Sequence, residues 1–134
     1  MRPLSILIIE DDETNAELLR KIAHHHDPAA SVEWARNGLD ALARVEDLHP
    51  DLIFLDYRMP RLDGRDFLLD LRRQGGKKGS FIVLGSGYVD PGNESAFLSM
   101  GADVVVAKPF EIERIEGLLA QVEQAKDRRE SLPR

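Results

Sequence analysis

A chain of 134 residues, 43% hydrophobic and 31% charged, has the size and make-up of one globular domain. A net charge of −6 with no basic stripe argues against binding nucleic acid through phosphates, and no apolar run reaches the ~18–20 residues of a membrane helix. With no cysteine, disulfides, thiol catalysis and thiolate metal sites are excluded, which agrees with a cytoplasmic protein.

The amino-terminal "MRPLSILIIEDD" lacks a small-residue cleavage site and runs straight into acids, so it is not read as a signal peptide. Its "LSILII" (4–9) is the first predicted strand. Residues 13–26 follow at helical spacing, with Ala16, Leu19, Ile22 and Ala23 on one face. "SVEWA" (31–35) is a second strand, and 37–48 a helix using Leu39, Leu42 and Val45. "DLIFLD" (51–56) is a third strand, and 64–73 a helix using Phe67, Leu68 and Leu71. "QGGKKGS" (74–80) is a loop; it lacks the spacing of a phosphate-binding loop and precedes a strand rather than following one. "SFIVLG" (80–85) is a fourth strand, and in 91–100 Asp90 caps a helix with Pro91 in its first position. "DVVVA" (103–107) is a fifth strand. The last helix, about 111–126, carries Ile112, Ile115, Leu118, Leu119 and Val122, with Glu111 and Glu113 in its first turn. "AKDRRESLPR" is read as a polar tail that frays, giving one domain over 1–124 and a tail over 125–134.

Strict alternation of strand and helix predicts an α/β fold, a five-stranded parallel sheet with helices on both faces and right-handed crossovers. In such sheets ligands bind beyond the carboxyl ends of the strands. The first strand ends in Glu10, Asp11 and Asp12, the third in Asp56, the fourth in Ser86 and the fifth in Lys108. Two carboxylates ~4 Å apart repel by roughly 4 kcal/mol at an effective dielectric of 20, so three acids at one edge call for a cation. Hard oxygen donors without His or Cys suit Mg²⁺. A divalent metal, an ammonium, a hydroxyl and an exposed carboxylate together can accept a phosphoryl group as an acyl phosphate.

Asp12 is read as a helix cap or solvated acid. "HHH" (24–26) is read as a helix C-terminus stopped by Asp27-Pro28, since consecutive helix residues point ~100° apart and cannot share an ion. Trp34 is read as packing.

With "IIEDD", "LDYRMPRLDG", "SGYVD" and "AKPF" at four strand ends in the right order, the chain resembles the receiver domain of two-component response regulators, over about residues 4–124. The resemblance implies a doubly wound, flavodoxin-like sheet of order 2-1-3-4-5. It implies Asp56 as phosphoacceptor, Asp11 and Glu10 as acids of a Mg²⁺ (or Mn²⁺) site shared with Asp56 and the backbone carbonyl of Arg58, and Ser86 and Lys108 as partners of the phosphoryl group. It further implies a cis bond before Pro109, a histidine kinase or phosphotransfer protein as donor, an unknown output protein, and a monomer or weak dimer through the last two helices. Nucleic acid and membrane are not expected partners. Ser86 is aligned with the family hydroxyl because it lies 30 residues after Asp56 and 22 before Lys108.

One departure is Val105, where the family often has the aromatic of its switch. Arg58 and Tyr88 are expected to shape water access to the acyl phosphate and slow its hydrolysis. The expected function is a stand-alone receiver that is no enzyme beyond its own phosphorylation and slow dephosphorylation, switching its 86–108 face toward a partner. The alternatives are a phosphate shuttle or sink, or a receiver-like module that binds without phosphorylation. A Mg²⁺-dependent phosphatase is disfavoured because Arg58, rather than an acid, stands two residues after Asp56.

Overall fold

Runs of Val, Ile, Leu and Phe that are apolar on both faces have no side to show water, and a parallel sheet covered on both faces buries them. The computed structural model describes residues 2–58, 63–73 and 79–131. Residues 59–62 of the "LDYRMPRLDG" motif and 74–78 of the predicted loop lie outside these. The elements in chain order are β1 (Ser5–Ile9), α1 (Glu13–His26), β2 (Ser31–Ala35), α2 (Gly38–Leu48), β3 (Leu52–Asp56), α3 (Gly64–Arg73), β4 (Phe81–Ser86), α4 (Pro91–Met100), β5 (Val104–Ala107) and α5 (Ile112–Ser131). The sheet order is β2-β1-β3-β4-β5 and every neighbouring pair is parallel. Winding reverses between β1 and β3, the point where open α/β sheets form a ligand crevice.

Alternate side chains of each strand serve opposite faces. Ile6, Ile8, Leu52 and Phe54 pack with Leu19 and Ile22 of α1 and Ile115, Leu118 and Val122 of α5. Leu7, Ile9, Ile53 and Leu55 pack with Ala41 of α2, Phe67, Leu68 and Leu71 of α3, and Phe97 of α4. Each large side chain buried this way contributes about 1.5–3 kcal/mol before entropy is subtracted.

Helix ends follow local chemistry. Asp12 caps α1, its side chain accepting from the Thr14 and Asn15 amides, and Asp27 closes it after the three histidines. Asp90 and Asn93 form a reciprocal capping box on α4, with Pro91 in the first turn.

Three readings need correction. Leu39 is 54% exposed, because α2 approaches the sheet through the small Gly38 and Ala41 and turns Leu39 outward. Ile112 is 53% exposed, since it sits in the first turn of α5 ahead of the first core residue, Ile115. Residues 125–131 are no fraying tail: α5 continues to Ser131. Lys126, buried, donates to the Pro3 carbonyl and to Asp51 Oδ2, each at 2.9 Å, which anchors the helix to the amino-terminal edge of the sheet.

Candidate functional site

Register brings the acids together. Ile9 pairs with Leu55, so the next residues, Glu10 and Asp56, leave adjacent strands side by side. Asp56 pairs with Gly85, and Ser86 with Ala107, which sets Lys108 one residue beyond. A carboxylate oxygen from each of Glu10, Asp11 and Asp56 lies within 4.8 Å of the others, the one cluster of potential metal-holding side chains among the described residues. Glu10 and Asp56 are buried while Asp11 is exposed, so the group opens to solvent on one side.

Lys108 reaches into this group. Its Nζ stands 3.0 Å from Asp56 Oδ1, and 3.1 Å and 3.2 Å from the two Glu10 oxygens. The Asn15 side-chain amide donates to Glu10 Oε1 at 3.1 Å, and the Arg58 amide to Asp56 Oδ1 at 3.3 Å. Burial, then the charge of Asp56, pushes Glu10 up to about 7 despite the opposing pull of Lys108 and Asn15. Burial likewise raises Asp56 against Lys108. Burial would lower Lys108, but its hydrogen bond to Asp56 and the charges of both acids outweigh this and raise it. One ammonium therefore faces more negative charge than it neutralises. Hard oxygen donors crowded to that degree fit a divalent cation of the Mg²⁺ kind.

The other predicted residues take up definite places. Ser86, buried at the end of β4, donates its hydroxyl to the Tyr88 carbonyl at 2.9 Å rather than to the acids. That carbonyl also accepts from the Asn93 side chain at 3.0 Å. Tyr88 is 70% exposed and Arg58 is exposed. Val105 is buried in the cluster that holds Phe97 of α4. The Lys108-Pro109 bond is cis.

Several contributors were not read from the sequence. Asn15 lies one helical turn past the acids, a position from which a polar side chain can point back at them. Trp34 does more than pack: its indole Nε1 donates to the Glu10 carbonyl at 2.7 Å. Gly85 makes room for Phe110, since a Cβ there would lie 2.9 Å from the ring's Cζ. Gly64 permits α3 to start against the backbone that follows Asp56, where a Cβ would sit 2.9 Å from Tyr57 Cα. Tyr57, next to Asp56, packs against Phe97 with ring centroids 4.6 Å apart and the ring planes tilted by 51°. Two of the three consecutive histidines make structural contacts: His24 Nε2 lies 3.1 Å from the Ala30 carbonyl, and His26 faces Glu123 of α5 at 3.3 Å.

A five-stranded sheet of this order, with acids and a lysine at its carboxyl edge, defines a class of signalling domain. The family model for the response regulator receiver domain matches residues 6–120, and the chain belongs to that family. It is 34% identical over 113 residues to Response regulator MprA of Mycobacterium sp. (strain KMS), covering 84% of this chain and 47% of that protein. It is 32% identical over 107 residues to the Autoinducer 2 sensor kinase/phosphatase LuxQ of Vibrio harveyi, covering 80% of this chain and 12% of that protein. The chain thus spans about half the length of such regulators and a small part of such kinases. Among solved structures, the receiver domain of a DNA binding response regulator from Colwellia psychrerythraea 34H superposes with a TM-score of 0.83 at 26% identity, covering 90% of this chain and 98% of that one. Chemotaxis response regulator CheY4 of Vibrio cholerae gives 0.80 at 25% identity, covering 90% and 98%. Receiver domains are phosphoryl-accepting signalling modules of two-component systems that bind Mg²⁺ in an acidic pocket. No helix among the described residues is long and apolar enough to cross a membrane.

Proposed function

We propose that this chain accepts a phosphoryl group on Asp56 from the phosphohistidine of a histidine kinase or phosphotransfer protein. The observation that carries this reading is a buried strand-end carboxylate held 3.0 Å from an ammonium and within 4.8 Å of two further acids. An Asp56 oxygen attacks phosphorus, the P–N bond breaks, and its electron pair leaves with the imidazole, which takes up a proton. Glu10, Asp11, Asp56 and the Arg58 carbonyl would hold Mg²⁺ or Mn²⁺, which when bound supplies positive charge against the phosphoryl oxygens. Lys108, freed from part of its contact with Asp56, pairs with the new acyl phosphate.

Switching starts at Ser86. When its hydroxyl turns from the Tyr88 carbonyl to the phosphoryl group, that carbonyl keeps only the Asn93 side chain, which also closes the cap of α4. The 86–90 loop and α4 then shift against β5, where Val105 offers bulk but no ring. The partner reads this 86–108 face and the last two helices, which also supply any weak self-association. The likeness to part of a sensor kinase/phosphatase favours one second reading, a relay receiver that passes its phosphoryl group onward.

Phosphoramidate, a small donor with a P–N bond, tests the transfer. With Mg²⁺ the intact mass should rise by one phosphoryl group, and chelator or Asp56→Asn should abolish the rise. Equal labelling of the Asp56→Asn protein would refute the assignment.

A further inference from the structure

We infer that Trp34 is a positioning residue for the metal-holding acids, an inference that rests on the proposed Mg²⁺ site. Both backbone groups of Glu10 are tied to the end of β2. Its amide donates to the Ala35 carbonyl at 3.1 Å, and its carbonyl accepts from the Trp34 indole at 2.7 Å. The second contact lies beyond the last strand pair, Ile9 with Ala35, so it is made by a side chain where the ladder has ended.

That carbonyl belongs to the peptide joining Glu10 to Asp11. Its orientation sets the direction in which the Asp11 side chain leaves the backbone. Asp11 is exposed and its carboxylate accepts no hydrogen bond among the described residues; the peptide before it is therefore the main restraint on where that carboxylate points. Glu10, by contrast, is already fixed through its own carboxylate by Lys108 and Asn15. The indole thus acts chiefly on Asp11, whose carboxylate has no side-chain partner among the described residues.

Trp34 is itself held. Its ring packs against the core beneath α1, and the Arg36 guanidinium lies over it, 4.5 Å from the centroid. A partly buried indole N–H needs an acceptor, and here the acceptor is the acidic loop. Partners that orient metal ligands typically change metal affinity by ~10–100-fold when removed, and one acting through a peptide carbonyl should fall at or below the low end.

Calorimetric titration with Mg²⁺ alone tests this. Trp34→Phe keeps the ring and removes the donor, and its Mg²⁺ affinity should fall roughly three- to tenfold. Val32→Ala, a packing change on the same strand, should lower thermal stability and leave the affinity in place. Equal affinity in Trp34→Phe and wild type would overturn the inference while leaving the metal site standing. Absence of Asp11-dependent Mg²⁺ binding in the wild type would overturn the site itself. Should Trp34→Phe fold poorly, the wild type still decides: its single tryptophan gives one indole N–H resonance. That resonance should move with the calorimetric midpoint, and a resonance unmoved at saturating Mg²⁺ would contradict the inference.

Discussion

Lys108 Nζ lies 3.0 Å from Asp56 Oδ1, closing a contact between the ends of β5 and β3 across the top of β4. Lys108 is the only cation seen pairing with these acids among the described residues. Replacing it with Met leaves two buried carboxylates without their counter-charge. Removing one partner of a buried pair costs up to ~3–5 kcal/mol, and protonation of the acids relieves part of it. Lys108→Met should therefore lose about 1–3 kcal/mol of stability at pH 8 in urea unfolding, and clearly less at pH 5.5.

At the proposed Mg²⁺ site, the raised pKa of Glu10 predicts that metal binding depends on pH. Bound Mg²⁺ competes with the proton, so affinity should rise through neutrality, on the order of tenfold from pH 6 to pH 8 for a group titrating about 7. Metal-free stability should move the other way. A carboxyl raised in the folded state contributes stability that is full below its ordinary value of 4.5 and lost as pH climbs through about 7. Asp56, also raised, adds in the same direction. Glu10→Gln should flatten both profiles; calorimetry in buffers of differing ionisation enthalpy would detect the released proton.

At the opposite edge, Lys126 holds α5 to Asp51 and Pro3. Lys126→Ala should lower stability by ~3–5 kcal/mol, because Asp51 would stay largely buried with its charge uncompensated. Phosphorylation of the folded fraction should be unaffected. Urea unfolding and the labelling rate, measured on one preparation, separate the two effects.

Gly85→Ala sets a methyl 2.9 Å from the Phe110 ring and 3.6 Å from Lys108 Cε. Overpacking of this kind costs about 1–3 kcal/mol. Phe110→Leu in the same chain should recover part of that loss, giving a coupling energy in a double-mutant cycle.

Arg58 and Tyr88, two residues past Asp56 and Ser86 respectively, are both solvent-facing, and each is proposed to screen the acyl phosphate. Removing them opens a path for water. The acyl phosphate of an Arg58→Ala, Tyr88→Ala protein should decay several-fold faster than that of the wild type; an unchanged rate would rule out their tuning role.

The fold was legible because β1, β3 and β4 are short, mostly apolar runs, each with a polar residue at or just past its carboxyl end. That pattern put Glu10, Asp56 and Ser86 at one edge before any contact was known. Periodicity misjudged Leu39 and Ile112, since it gives a face but not how closely a helix approaches or where its first turn overhangs. The polarity of 125–134 concealed Lys126, whose partners lie 75 and 123 residues away. The Trp34 hydrogen bond is hidden in the sequence, because it depends on β1 and β2 being in register. Likewise, the Ser86 hydroxyl was legible as a group near the site, but its engagement with the Tyr88 carbonyl depends on the course of the loop.

The most direct measurement is the location of the phosphoryl group. Protein labelled in the presence of Mg²⁺ would be treated with borohydride, which reduces an aspartyl phosphate to homoserine, and its peptides mapped by mass. The account predicts homoserine at residue 56 alone. Homoserine at residue 11, or labelling with no homoserine anywhere, would contradict it.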